Sequence, residues 1–277
     1  MLLRLDAYSG GSSGDKFSDI APEVILIDII EEAANTNLQT AAFAGGHGQI
    51  VYGNTRESLA VRLVYVIRTQ DPARRAAVQG LIQAWAKEVK KLAISTRPNV
   101  VLRGQFYNLS AQMSALQWTQ EIHLVFTAYE VPFWQDEGLS VSKFLSCGEN
   151  TKISCVCTAD RVPVSALITN DGTDMLTEVI LNVGHTKLHL QGLQLDPAPD
   201  SSDGIVEQDS LEIKSETGHD FTIRTLGTGG SSGESYLHTR TPDSSDVLLV
   251  ETNEENPVYF WADQPSTCWL TCYRWWL

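Results

Sequence analysis

Between Arg56 and Trp134 the apolar positions change period twice. Leu59, Val61, Leu63, Tyr65 and Ile67 alternate with Ala60, Arg62, Val64, Val66 and Arg68, which is the pattern of a half-buried β-strand. Asp71 then stands before Pro72, an acidic N-cap followed by proline at the first helical position. Val78, Leu81, Ile82, Trp85, Val89 and Leu92 recur at three and four and predict an amphipathic helix over 71–91. Lys87, Lys90 and Lys91 fall in its last turns, where cations suit the helix dipole. Residues 100–107 return to a β-rich composition. In 121–129, Ile122, Leu124, Phe126 and Ala128 are placed inward, before the chain turns at Val131-Pro132-Phe133-Trp134. Upstream, the β-branched run 24–30 predicts a buried strand, 49–52 leads into the alternating strand, and 31–40 has no clear pattern. Residues 1–22, with six consecutive Gly and Ser from Ser9 to Gly14, predict a loose, mobile arm or inter-subunit loop.

Helical patterning stops near 135–140, which marks a boundary between residues 1–140 and 141–277. Beyond it the chain reads as short strands over 152–158, 164–169, 178–183, 187–190, 210–214, 220–224, 247–252, 258–262 and 268–275. Turn signals separate them at Asn170-Asp171-Gly172, Asn182 to Gly184, Thr217-Gly218 and Asn256-Pro257. That spacing predicts an antiparallel sandwich, interrupted by two surface loops over 196–203 and 227–233. The aromatic ending Tyr273-Arg274-Trp275-Trp276-Leu277 needs a covering surface.

Composition sharpens this picture only in places. The 277 residues are 43% hydrophobic, enough for real cores, and no apolar run approaches a membrane span. No signal peptide is visible at the start, so folding in the cytosol is expected. The net charge of −14 is uneven: residues 1–140 hold 12 Lys+Arg against 14 Asp+Glu, and residues 141–277 hold 8 against 20. Such an acidic second half argues against a nucleic-acid groove.

Catalytic and metal-binding readings find little support. The five cysteines, Cys147, Cys155, Cys157, Cys268 and Cys272, are an odd number, which disfavours a closed disulfide framework. Their C-x-C and C-x3-C spacing departs from a zinc knuckle, and reduced thiols in a β core are the expected state. His47, among Gly45, Gly46 and Gly48, lacks any nucleophile pattern or phosphate-loop spacing. His185, His189, His219 and His238 are scattered. Glu207, Asp209 and Glu212 have no fixed separation that would make them an acid/base pair, and Asp196, Asp200 and Asp203 lack calcium-loop spacing. Trp261, Trp269, Trp275 and Trp276 fit either core positions or a sugar-stacking platform. No catalytic, cofactor-binding or metal-ligating residue is assigned, and neither an enzymatic activity nor a cofactor is expected.

The order of elements resembles the distal tail proteins of long-tailed, non-contractile bacteriophages. The resemblance rests on the Gly45-Gly46-His47-Gly48 turn, the Arg56–Arg68 strand, the Trp-bearing helix and the Pro132-Phe133-Trp134 boundary. It continues through Ile168-Thr169-Asn170-Asp171-Gly172-Thr173 to Ser245-Asp246-Val247-Leu248-Leu249, Glu254-Glu255-Asn256-Pro257-Val258 and Arg274-Trp275-Trp276-Leu277. It implies an α+β ring-forming, belt-bearing domain over 1–140, a β-rich barrel-like sheet with one main helix, and then an all-β galectin-like sandwich over 141–277. It further implies a structural homo-hexamer at the virion tail tip, assembled in the host cytoplasm. That ring would join the tail tube protein to a tail-associated hub protein, with a receptor-binding protein or host glycan as a further contact. Neither nucleic acid nor membrane is an expected partner. The alternative is a carbohydrate-binding protein whose sandwich grips host cell-wall glycans.

Overall fold

The computed structural model describes residues 5–32, 36–42, 49–107, 120–138, 140–197, 210–215, 221–226 and 232–277. The Gly45–Gly48 turn with His47, the loop over 108–116, Asp200, Asp203, Glu207, Asp209, Thr217-Gly218 and His219 lie outside the described residues. The chain divides into two compact units, residues 1–138 with Leu277, and residues 139–276.

The first unit runs β1 (Ala7–Ser9), β2 (Val24–Glu32), β3 (Thr36–Ala42), β4 (Gln49–Arg56), β5 (Leu59–Ile67), α1 (Pro72–Glu88), β6 (Lys91–Ile94), β7 (Arg97–Arg103), β8 (Gln105–Phe106), β9 (Ile122–Ala128) and β10 (Trp134–Asp136). Its strands form separate open sheets, not the expected barrel-like one. One sheet has the order β2-β5-β9-β8, the unit contributes four neighbouring strands β1-β6-β7-β10 to another, and β3 and β4 pair only with each other. Each sheet keeps an edge strand, so none closes.

The alternating strand is β5, and its inward residues are all buried. The same holds for Ile122, Leu124, Phe126 and Ala128 on β9. Asp71 caps α1 by accepting the Ala73 amide at 2.9 Å, with Pro72 at the first turn, a cap that contributes about 1 kcal/mol. The helix nevertheless ends at Glu88. Val89 and Leu92 are buried, yet they belong to the cap and to β6, and Lys90 and Lys91 lie beyond the last turn. Leu81, expected on the apolar stripe, is exposed, whereas Arg75 and Gln79 are buried, the latter accepting the Tyr65 hydroxyl at 3.0 Å.

The N-terminal segment is the largest correction. It is not loose: Ala7–Ser9 pairs with β6, and Phe17 is fully buried between Tyr65 and Trp85 with ring centroids 5.2 and 5.3 Å away. The Gly/Ser run is a closed turn. Ser9 donates to the Asp15 carbonyl, Gly14 to Gly11, and Gly10 to Lys91. A side chain at Gly14 would collide with the Ser9 carbonyl, so glycine here is a steric requirement. The Glu137 carboxylate accepts the Ser12 amide with both oxygens at 2.9 Å.

The second unit runs β11 (Val141–Ser146), β12 (Asn150–Ser154), β13 (Arg161–Asn170), β14 (Leu176–Val183), β15 (Thr186–Leu195), β16 (Ser210–Lys214), β17 (Thr222–Leu226), β18 (Ser232–Ser235), β19 (Leu249–Glu251), β20 (Glu255–Ala262), β21 (Ser266–Cys272) and β22 (Trp275–Trp276). One antiparallel sheet has the order β11-β21-β13-β16-β17-β18, with β19 also on β13, and the other has the order β12-β20-β14-β15. Each buries every second residue: Ala166, Ile168, Leu211, Ile213, Cys268 and Leu270 in the first, and Val179, Leu181, Leu188, Leu190, Val258 and Phe260 in the second. Asn256-Pro257 is not a turn but part of β20. The buried Asn256 amide instead holds the preceding turn, donating to the Glu251 carbonyl at 2.7 Å and accepting its N–H at 2.9 Å.

Asn170 closes β13 as expected of an Asx turn, and it does more. Fully buried, it accepts the Gly172 amide at 3.0 Å and donates to the carbonyls of Asp174 at 2.9 Å and Leu195 at 3.0 Å. Asn170→Ala strands two buried backbone groups and a third at the surface and is expected to destabilise this unit by about 3 kcal/mol. Chemical denaturation followed by far-UV circular dichroism checks this; a change under about 1 kcal/mol would contradict the role given to the amide.

Candidate assembly surface

The feature of the first unit that calls for a partner is β2. Its sequence, VILIDIIEE, is apolar almost throughout. Yet Ile25, Ile27 and Ile30 are 40%, 42% and 39% exposed. The register explains how. Val24 and Leu26 face Ile67 and Tyr65, then an irregularity between Leu26 and Asp28 leaves Ile27 unpaired, and Asp28 resumes opposite Val64. This is a β-bulge, which twists an edge and re-aims side chains. Opposite Ile25, β5 contributes the half-buried Val66, and opposite Ile30 it contributes Arg62. β2 is also an edge strand, paired on one side by β5 and on the other by no strand among the described residues. A long apolar edge strand is a template for another chain.

Charge tethers surround the strand. Glu23 pairs with Arg74 at 2.8 Å, Glu31 with Arg97 at 2.7 Å, and Glu32 with Arg62. The Arg74 hydrogen bond holds the Glu23 carboxyl below the usual carboxylate range. The β3–β4 ribbon follows directly, a hairpin with no further strand partner among the described residues. Its base is fastened by Asn37, which donates to Glu57 at 2.8 Å, and by Arg56, which lies 5.0 Å above the Phe133 ring.

The second unit scatters the polar candidates. Glu212 stands 4.0 Å from Arg224 on the neighbouring strand as a loose ion pair. His189 contacts Glu178 at 2.7 Å and lies 3.7 Å from Asp243. Hydrogen bonds from Gln191 and then His189 lower the Glu178 carboxyl, and Lys187 with Thr241 lowers that of Asp243. His238 stacks on Tyr236 with centroids 6.0 Å apart. Among the described residues no three His, Cys, Asp or Glu side chains form a metal-binding group.

The cysteines are free thiols, four of them buried, and Cys147 is half-buried. Cys155 and Cys157 follow β12 instead of lying on it. The hydrogen bond with Cys157 acts to lower the Cys155 thiol, but Cys272 and burial outweigh it and push it up to about 12. Cys157 is raised by its bond with Cys155 and by burial, and Cys268 by burial alone. Protonated, enclosed thiols alkylate slowly. Iodoacetamide at neutral pH is expected to label Cys147 first and the other four only on unfolding, which peptide mass spectrometry resolves.

The tryptophans divide between the two readings of the sequence. Trp275 is buried, Trp261 and Trp276 are half-buried, and Trp269 is 49% exposed. Phe144 and Leu167, which flank Trp269 on adjacent strands, are exposed as well. Neither these neighbours nor the β2 isoleucines stand out in the sequence, because apolar residues on a strand ordinarily mark its inward face. The one available signal is that β2 lacks the alternation of a one-sided strand.

No protein-family model matches the chain, and no curated protein matches it. Solved structures do. The SPP1 Dit (gp 19.1) protein, described as a paradigm of hub adsorption apparatus in Gram-positive infecting phages, superposes with a TM-score of 0.65 at 10% identity, over 97% of this chain and 98% of that one. A chain of the phage P2 baseplate in its activated conformation with Ca matches with a TM-score of 0.52 at 8% identity, over 99% and 98%. The phage p2 baseplate with Sr gives 0.50 at 8%, over 98% and 97%. The fold is therefore that of the phage Dit hub and baseplate chains, along nearly the full length of both partners.

Proposed function

We propose that the chain is a structural distal tail protein of a bacteriophage, a virion component of the tail tip with no catalytic step. Six first units close into a ring, each β2 edge meeting the next copy and each β3–β4 ribbon reaching a neighbour as a belt. The ring joins the tail tube protein to the tail-associated hub and host-adsorption apparatus. The second unit is a galectin-like sandwich on the outside, its acidic surface keeping the particle soluble. Assembly takes place in the host cytoplasm.

The observation that carries this reading is the β2 edge with its three exposed isoleucines. Isolated in water, that strand is a liability; repeated head to tail around a closed rotation, it is covered. The likeness to Dit and baseplate chains supports the same role. Light scattering of the purified full chain tests it. The expected mass is six times the 30.5 kDa subunit, with rings in negative-stain images. A strictly monomeric species at high concentration that also fails to enter assembled tails would overturn it. The alternative, a protein that grips host glycans, is favoured by one observation, the exposure of Trp269.

A further inference from the structure

The outward face of β11-β21-β13-β16-β17 carries one continuous cross-strand row. Phe144 pairs with Trp269, Trp269 with Leu167, Leu167 with Glu212, and Glu212 with Arg224. Five strands at roughly 4.8 Å spacing make a strip about 19 Å long. Its first three side chains are 50%, 49% and 38% exposed. Phe144 meets the Trp269 ring edge-on with centroids 6.1 Å apart, which fixes the indole's orientation without covering it. At the other end Glu212 and Arg224 are 4.0 Å apart, near enough to orient one another and too far to saturate their hydrogen bonds. The rows on either side, two residues along β11, β21 and β13, are hydroxyls, Ser142, Thr271 and Ser165 on one side and Ser146, Thr267 and Thr169 on the other; on β16 and β17 they continue as Lys214 and Thr222 and as Ser210 and Leu226.

We infer that this strip is a binding platform for a neutral polysaccharide. An aromatic face backed by a second ring suits the apolar C–H face of a sugar, and a carboxylate beside a guanidinium offers an acceptor and donors for neighbouring hydroxyls. A protein partner fits less well. Three apolar residues between hydroxyl rows fall short of the roughly 800 Å² per partner of a stable interface. Charge selects among glycans. Residues 141–277 carry 8 Lys+Arg against 20 Asp+Glu, so a polyanion is repelled by the unit as a whole. Glu212 and Arg224 cancel locally, so a polycation gains nothing at the strip itself. An uncharged chain suffers neither penalty. The inference does not depend on ring assembly: the platform lies within one unit of one subunit.

The full-length protein is tested on an array of immobilised neutral oligosaccharides, with anionic glycerol-phosphate polymers as a second arm. Retention on the neutral arm is expected, weakened roughly tenfold or more by Trp269→Ala and also weakened by Glu212→Gln. Trp261→Ala, on the other sheet, is expected to leave it unchanged. Circular dichroism of each variant separates lost binding from lost folding, and Trp269→Phe, which keeps an aromatic face, is expected to restore most of the affinity. Retention only on the anionic arm, equal binding by Trp269→Ala, or binding to neither arm alongside Trp269-dependent capture of a protein partner would overturn the inference. A wild-type protein that binds neither arm nor any partner would overturn it as well.

Discussion

The paired substitutions Ile25→Lys and Ile27→Lys are expected to abolish assembly and leave the subunit folded. Both side chains are about two-fifths exposed in the isolated chain, so the charges cost the monomer little. A ring contact would bury them at every one of its repeats. Covering an isoleucine contributes roughly 1.5–3 kcal/mol, and each interface would lose two such terms and gain two uncompensated ammonium groups. Sedimentation should show a monomer with an unchanged circular dichroism spectrum. A variant that still runs at the mass of the parent assembly would place the interface elsewhere. Ile29, half-buried and set opposite the buried Leu63 by the bulge at Ile27, serves as the contrast, because Ile29→Lys is expected to damage the fold before it damages assembly.

Phe17→Ala is the change expected to cost the first unit most. The ring is fully buried and meets Tyr65 and Trp85 edge-on. Removing it should cost about 3–5 kcal/mol, or on the order of 10 °C in melting temperature for a unit of this size. The loss should also be local at first. Ser18 is tied to the buried Asp6 by its amide at 3.1 Å and its hydroxyl at 2.6 Å, and without the Phe17 anchor that tie should open. Hydrogen exchange should show residues 6–20 losing protection ahead of β5 and β9. Protection unchanged in that segment would mean that β1 alone secures it.

How far this was legible in the sequence depends on whether the deciding contact is local. The start of α1 was legible because Asp71 and Pro72 act on their own turn, and β5 and β9 because alternation is set by one buried face. The end of α1 was not. Val89 and Leu92 continue the helical spacing, but they are needed by the cap and by β6. Phe17 stands alone among polar and small residues, so nothing nearby announces that it reaches a core built from Tyr65 and Trp85. Asn256-Pro257 has turn composition but sits on β20, where Pro257 lies opposite Lys152. The assembly surface was hidden for a different reason. An apolar strand reads as buried, yet the β2 isoleucines Ile25, Ile27 and Ile30 are about two-fifths exposed. Trp269 and Trp275 show the same limit from the other side: one exposed and one buried, they are alike in sequence context and differ only in pairing.

The order of strands in the second unit also bears on how the protein is made. β21 lies between β11 and β13, hydrogen-bonded to both, although more than a hundred residues separate it from either's first strand position. The β11-β21-β13 pairing therefore cannot form until the chain has been made as far as Cys272. The β2-β5-β9-β8 sheet, by contrast, draws all its strands from residues 24–128 and needs nothing made later. A premature stop that removes β21 would leave β11 without its sheet partner and β13 with a bare edge, and such a product should be cleared by proteolysis, not accumulate as a shortened but working subunit.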